Sequence, residues 1–246
     1  MQYLSTDRGL RWNLGARIAN GSHNEDIFNF LTDRRFEPGH TYPATFGGGV
    51  HGLAVAPASG TGAKRLGGFS YVCVPMFSDG PGDLAYLPQA TITTRLSSGS
   101  RVFTSTTDDT CLSTYSGLPA GPTRYRLFIS TDRTKDYRTS DHVDAAWTFT
   151  SRDNGETKGV PFLLSVVRFH PKLSLTDTAK TGARVTVPLS FQGPAAAKGH
   201  LQSLTVRVSY DRGRTWKPVT VHTDHAGKRY LPLTHPKKPG TVSFRP

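Results

Sequence analysis

The chain has 246 residues with 30 Lys and Arg against 18 Asp and Glu, a formal net charge of +12 at pH 7. That length suits one large or two ordinary domains with buried cores. It contains no run of about 18 apolar residues and no basic start followed by an apolar stretch, so it predicts neither a membrane span nor a signal peptide, and taken literally it reads as cytosolic. The 25 Gly and 17 Pro, with Val, Thr, Tyr and Phe recurring in short alternating runs, predict an all-β chain.

Residues 1–40 carry the motif Ser5-x-Asp7-Arg8-Gly9-x-x-Trp12 and a polar connector that ends at Pro38-Gly39. The best helical window, Glu25 to Arg35, groups Ile27, Phe28, Phe30 and Leu31, yet is short enough to be a loop or one helical turn. Strands are predicted at Val50 to Ala56 and at Leu66 to Phe77. The run from Tyr71 to Phe77 is too continuously apolar for a surface strand and reads as a central one, with Pro75 demanding a bulge or an edge. Further strands fall near Ala90 to Leu96, Arg101 to Ser105, Tyr125 to Ser130 and Ala145 to Thr150. Turn signals at Ser98-Gly99 and Gly121-Pro122 separate them as in a sandwich.

The polar segment Ser151 to Lys158, with Asn154-Gly155, marks the expected boundary. Two consecutive β-sandwich domains are predicted, over 1–150 and 158–246, the second immunoglobulin- or fibronectin-like. The first opens inside its hairpin and the second stops short of its last strand, so both ends read as cut. The charge divides at the same place. Residues 1–157 hold 15 basic and 15 acidic side chains, whereas residues 158–246 hold 15 basic ones and only Asp177, Asp211 and Asp224. Such a field favours anionic polymers, whether nucleic acid, cell-wall polymer or an acidic protein surface. Its plainer reading is a solvated domain with charges on outward strand faces. Aromatic residues do not interleave with the basic ones as RNA stacking would require.

In the second half, strands are predicted at Pro161 to Phe169, Arg184 to Phe191, Leu201 to Tyr210, Lys217 to His222, Lys228 to Leu233 and Thr241 to Phe244. Along Leu201 to Trp216, Leu204, Val206 and Val208 share one face at period two and should be buried, with Thr205, Arg207 and Ser209 opposite. The strand runs into a turn in which Ser209, Asp211, Gly213 and Trp216 repeat the spacing of Ser5, Asp7, Gly9 and Trp12. The Asp can accept backbone N–H bonds, the Gly can take a positive φ, and the Trp can anchor the return strand. Two copies so far apart suit one hairpin in each of two domains.

No nucleophile elbow, phosphate-binding loop or zinc-protease motif occurs. Val50-His51-Gly52-Leu53 is faintly similar to the histidine segment of subtilisin-like proteases, but Leu-Ala stands where Thr-His should follow, and His51 reads as a strand-end surface residue. His222, Asp224 and His225 could reach a zinc ion, and Asp79 and Asp83 could offer oxygens to calcium; polar turns are the plainer reading of both. No catalytic residue, metal or cofactor is therefore assigned. Cys73 and Cys111 lack metal-site spacing. In an exported protein they should pair, stabilising a closed loop by roughly 3–4 kcal/mol; in the cytosol they would be buried thiols.

Arg65-Leu66-Gly67-Gly68, Val74-Pro75-Met76-Phe77-Ser78-Asp79-Gly80, Thr93-Thr94-Arg95-Leu96, Leu118-Pro119-Ala120, Tyr125-Arg126-Leu127, Ala146-Trp147-Thr148-Phe149 and the Ser209 to Trp216 turn follow one another in a familiar order. Together they resemble the C-terminal region of large secreted actinobacterial subtilisin-like serine peptidases. The resemblance implies β-sandwich accessory domains downstream of a catalytic domain, in a secreted parent whose signal peptide, propeptide and protease domain are missing here. It brings over no catalytic residue. It implies a non-catalytic module that aids protease folding, positions substrate, or attaches to anionic surfaces through residues 158–246. Its partners would be the parent's protease domain and an anionic polymer, with no membrane. The alternative takes the two hairpins as the Asp-box of sialidase-like propellers, which implies glycan binding or hydrolysis. Propeller blades should repeat that turn every 40 to 50 residues or so, and nothing between Trp12 and Ser209 does.

Overall fold

The computed structural model describes residues 3–19, 26–43, 48–55, 62–79, 84–86, 90–104, 113–135, 137–155 and 158–246. Among them the chain is all-β, in several antiparallel sheets, with a single 3-10 turn at Gly193–Ala196.

Near the start, β1 (Trp12–Ala19) and β2 (Asp26–Arg34) pair antiparallel, and β5 (Leu84–Tyr86) joins the far side of β2. The window Glu25 to Arg35 is thus a strand from Asp26 onward, not a helical turn or a loop. Its cluster of Ile27, Phe28, Phe30 and Thr32 favours extended backbone, and the ladders on both sides fix it.

Two four-stranded sheets enclose the first core. One has the order β11-β3-β4-β8, from β3 (Gly62–Leu66), β4 (Phe69–Cys73), β8 (Ser113–Tyr115) and β11 (Val160–Pro161); the other has the order β10-β9-β6-β7, from β6 (Thr91–Ser98), β7 (Arg101–Thr104), β9 (Thr123–Asp132) and β10 (His142–Ser151). In β9, Tyr125, Leu127, Ile129 and Thr131 point inward while Arg124 and Arg126 point out, the alternation of a half-buried strand. Ala63 and Val72 oppose Leu96, Phe103, Tyr125 and Leu127 in the core, and the rings of Tyr125, Phe149 and Phe162 succeed one another at 6.0 and 4.5 Å.

The expected strand from Leu66 to Phe77 is in fact a hairpin turned at Gly67, whose φ of 57° suits glycine, with Leu66 opposite Phe69. The central position of β4 matches the apolar run, but the strand ends at Cys73, two residues before Pro75. Val74, Met76 and Phe77 stay buried without a ladder, and the Pro75 carbonyl accepts the Ala54 N–H at 3.0 Å. The expected strand at Val50 to Ala56 is reduced, within its described part, to one bridge between Gly52 and Ser78.

The second core lies between the sheet β12-β13-β17-β16 and the sheet β15-β14-β18. These comprise β12 (Val166–Phe169), β13 (Arg184–Gln192), β14 (Val206–Ser209), β15 (Lys217–Val219), β16 (His222–Thr223), β17 (Arg229–Thr234) and β18 (Ser243–Arg245). Val187, Leu189, Leu231 and Leu233 face Val206 and Val208, and Phe169 stacks on Phe244 with centroids 4.7 Å apart.

The cores do not divide at the polar segment 151–158. After it, β11 pairs with β3, and Phe162, Leu164 and Val166 are still buried in the first core. The change comes within β12, where Val166 packs in the first core while Val167 and Phe169 pack against the second. Polarity marks a turn at the surface; which side chains point inward afterwards decides where a core ends.

Candidate functional site

The turn that follows β14 is built as a hydrogen-bonded knot. The Ser209 hydroxyl donates to Asp211 Oδ1 at 2.7 Å and accepts the N–H groups of Gly213 at 2.9 Å and Asp211 at 3.3 Å. Thr215 gives Asp211 two more bonds, from its N–H at 2.8 Å and its hydroxyl at 2.6 Å. The Ser209 hydroxyl first, then Thr215, hold the Asp211 carboxyl well below the ordinary carboxylate range. This role explains why Ser209 departs from the predicted alternation. It is buried together with Val206 and Val208, whereas Thr205 and Arg207 are exposed as expected.

Gly213 has φ 77°, and a methyl group there would lie 3.4 Å from Trp216 Cζ2. The indole rests against the glycine, and the Arg245 guanidinium sits 4.2 Å from its ring centroid. Trp216 is half-buried and outside the core cluster. Trp216→Ala should therefore cost about 1–2 kcal/mol, the scale of a stacked, partly exposed ring, rather than the roughly 3–5 kcal/mol of a fully buried one. Urea unfolding of the two proteins checks this.

At the first copy, the Ser5 hydroxyl donates to Asp7 at 2.8 Å and Gly9 has φ 92°, but Trp12 Nε1 donates to the Ser5 carbonyl at 2.8 Å instead of lying on the glycine. Arg11 stands where Thr215 does. The two motifs share spacing, not a full set of bonds. In the second copy the polar atoms of Ser209 and Asp211 are engaged within the turn itself.

The knot abuts a basic sheet face. Arg207 on β14 lies directly opposite Arg245 on β18 and Pro218 on β15, so these three share the outer side. No acidic residue occurs in β14, β15 or β18. All three acids of residues 158–246 serve turns or loops. Asp177 accepts the Gly49 N–H at 2.9 Å, Asp224 accepts those of Ala226 and Lys228, and Asp211 closes the knot. The sequence pattern places Arg207 outward; Arg245 is found only through the strand pairing.

A second polar cluster is buried beside the first core. Arg168, 6% exposed, projects from β12 and donates through Nη1 to the Leu53 carbonyl at 2.7 Å and through Nη2 to the carbonyls of Ser78 and Asp79. Arg133 is held by the carbonyls of Ser140 and Thr139 and lies between the rings of Phe77 and Tyr137. His51 is not the surface residue predicted. It is 7% exposed, its N–H donates to the Ser140 hydroxyl, and its Nε2 has no hydrogen-bond partner among the described residues. Burial, then the charges of Arg133 and Arg168, lower its pKa to about 4.

A histidine whose folded pKa is depressed contributes stability that is complete above its unfolded value near 6.5 and is lost as pH falls towards 4. The expected loss on going from pH 7 to pH 4 is about 3 kcal/mol. Equilibrium unfolding across that range, compared with His51→Gln, which should show a shallower dependence, measures it.

Among the described residues, the remaining sequence candidates do not assemble. His222 stacks on Tyr230, and among the described residues no three His, Cys, Asp or Glu side chains group as metal ligands. Asp79 is fully buried, and Asp83 lies outside the described residues. Cys73 is disulfide-bonded; Cys111, the only other cysteine in the sequence, also lies outside the described residues. No helix among the described residues is long and apolar enough to cross a membrane. Compared with known protein families, characterised proteins and solved structures, the chain finds no match in any of the three.

Proposed function

We propose that this chain is a non-catalytic accessory module of a secreted subtilisin-like serine peptidase. On this reading it consists of two consecutive immunoglobulin- or fibronectin-like sandwiches, the second of which holds the parent protein at an anionic surface. The observation that carries the reading is the segregation of charge, 15 basic residues against three acids over 158–246, with each acid engaged in a turn or loop. Arg184, Arg207, Arg214, Lys217 and Lys228 are exposed, so the field is presented to solvent. The disulfide at Cys73 supports export to an oxidising compartment. The burial of His51 between two arginines supports a non-catalytic reading, because a general base must reach its substrate. The sialidase reading gains no support, since Ser209 and Asp211 are engaged within their own turn.

The full chain should be retained on immobilised heparin at low salt and elute with a steep dependence on salt concentration. Passage through the column at about 50 mM salt would sink the anchoring role. Turnover of a sialoside substrate would overturn the non-catalytic assignment.

A further inference from the structure

The outer face of the sheet β15-β14-β18 carries two arginines on adjacent strands. Arg207 and Arg245 are direct cross-strand partners, and residues so paired have Cβ atoms only about 5 Å apart on one face. Like charges in that arrangement repel. The acid-free strands supply no carboxylate to relieve them, and neither arginine has an ion-pair partner among the described residues. One of the two is also held in place, because Arg245 lies on the Trp216 ring, which in turn rests against Gly213 of the knotted turn. The hairpin therefore acts as a shelf for the Arg245 guanidinium, on the strand next to the one that carries Arg207.

We propose that Arg207 and Arg245 form a two-arginine oxyanion site, and that its occupant is an unbranched phosphate polymer running along this sheet face. The proposal rests on the anchoring role above and assigns it a place and a chemistry. Guanidinium groups bind phosphate oxygens in a bidentate fashion, and two of them on adjacent strands can engage one phosphate or two successive ones. The same geometry disfavours a single-stranded nucleic acid. Base recognition uses open aromatic faces, while Trp216 has Arg245 over its ring and Gly213 against it. A polymer that presents charge without bases fits the site better.

The test uses the full chain and long-chain inorganic polyphosphate, with heparin and oligo(dT) as comparison ligands. Arg207→Gln combined with Arg245→Gln should weaken polyphosphate binding by about tenfold or more and lower the salt slope by about 2, one for each guanidinium removed. Lys237→Gln combined with Lys238→Gln removes the same charge from an exposed loop and should change affinity far less. Arg207→Gln alone, at an exposed position, separates loss of binding from loss of fold. Trp216→Leu keeps every charge, so it should weaken binding a few-fold through looser positioning of Arg245 while leaving the salt slope unchanged. Equal losses from the lysine and arginine pairs, or undiminished polyphosphate binding by the arginine variant, would overturn the site while leaving heparin retention and the anchoring role intact. Tighter binding of oligo(dT) than of polyphosphate would overturn the occupant. A wild-type chain that binds none of the three ligands would overturn both the site and the anchoring role.

Discussion

Gly193→Ala is expected to lower the free energy of unfolding by more than about 3 kcal/mol. Gly193 opens the 3-10 turn after β13 with φ 72°, a conformation that already disfavours any other residue. More decisively, a methyl group there would lie 1.9 Å from the Leu164 carbonyl oxygen and 3.2 Å from Ser165 Cα. The obstacle is backbone, and it cannot retreat easily. Leu164 is 3% exposed, its N–H is bonded to the Phe162 carbonyl, the Ser165 carbonyl accepts the Trp147 indole N–H at 2.8 Å, and the Ser165 hydroxyl accepts the Ala195 N–H. Urea unfolding followed by tryptophan fluorescence reads the loss. A variant within about 1 kcal/mol of the wild type would show that segment 164–165 moves aside freely.

Arg168→Leu should cost about 3–5 kcal/mol. The arginine satisfies carbonyls on two separate segments, Leu53 on one side and Ser78 and Asp79 on the other, in a setting that admits little water. A leucine of comparable bulk fills the space but removes the guanidinium donor from the Leu53 and Asp79 carbonyls and leaves the Ser78 carbonyl only the Gly52 N–H, and losing donors to buried carbonyls is costly. Arg168→Lys, which keeps the charge but not the fork, should fall between the wild type and the leucine variant. Loss of the Arg168 charge should also let the His51 pKa rise part of the way back, since Arg168 is the third cause of its depression after burial and Arg133. Histidine ring titration by NMR in the lysine and leucine variants separates the two effects. An unchanged pKa in the leucine variant would show that the Arg168 charge does not reach His51.

Alternation made several elements legible from sequence. Tyr125, Leu127 and Ile129 in β9, and Val206 and Val208 in β14, leave one periodicity open, and the structure follows it. β2 was not legible, because Ile27, Phe28, Phe30 and Leu31 satisfy a helical turn nearly as well as a strand, and the ladders that decide the matter come from elsewhere in the chain. Arg168 and His51 were missed for a different reason. Charged and polar residues read as surface, and burial of a guanidinium depends on carbonyls about 90 to 115 residues away meeting it. Gln192-Gly193-Pro194 reads as any turn would; its strict need for glycine comes from Leu164, which no local pattern indicates. The Ser209 to Trp216 turn was the most legible part of the candidate site. What it positions, an arginine about 30 residues further along the chain, was not.

Successive side chains of β12 belong to different interiors, Val166 to the first and Val167 to the second. A four-residue strand cannot release one of them without loosening its grip on the other. Heat absorbed by one core is thereby shared with its neighbour, and the cores are expected to melt in one calorimetric peak rather than two, with the ratio of van't Hoff to calorimetric enthalpy near unity. A module fastened to a surface by one half would in this way lend the rigidity of that attachment to the half that is not touching anything.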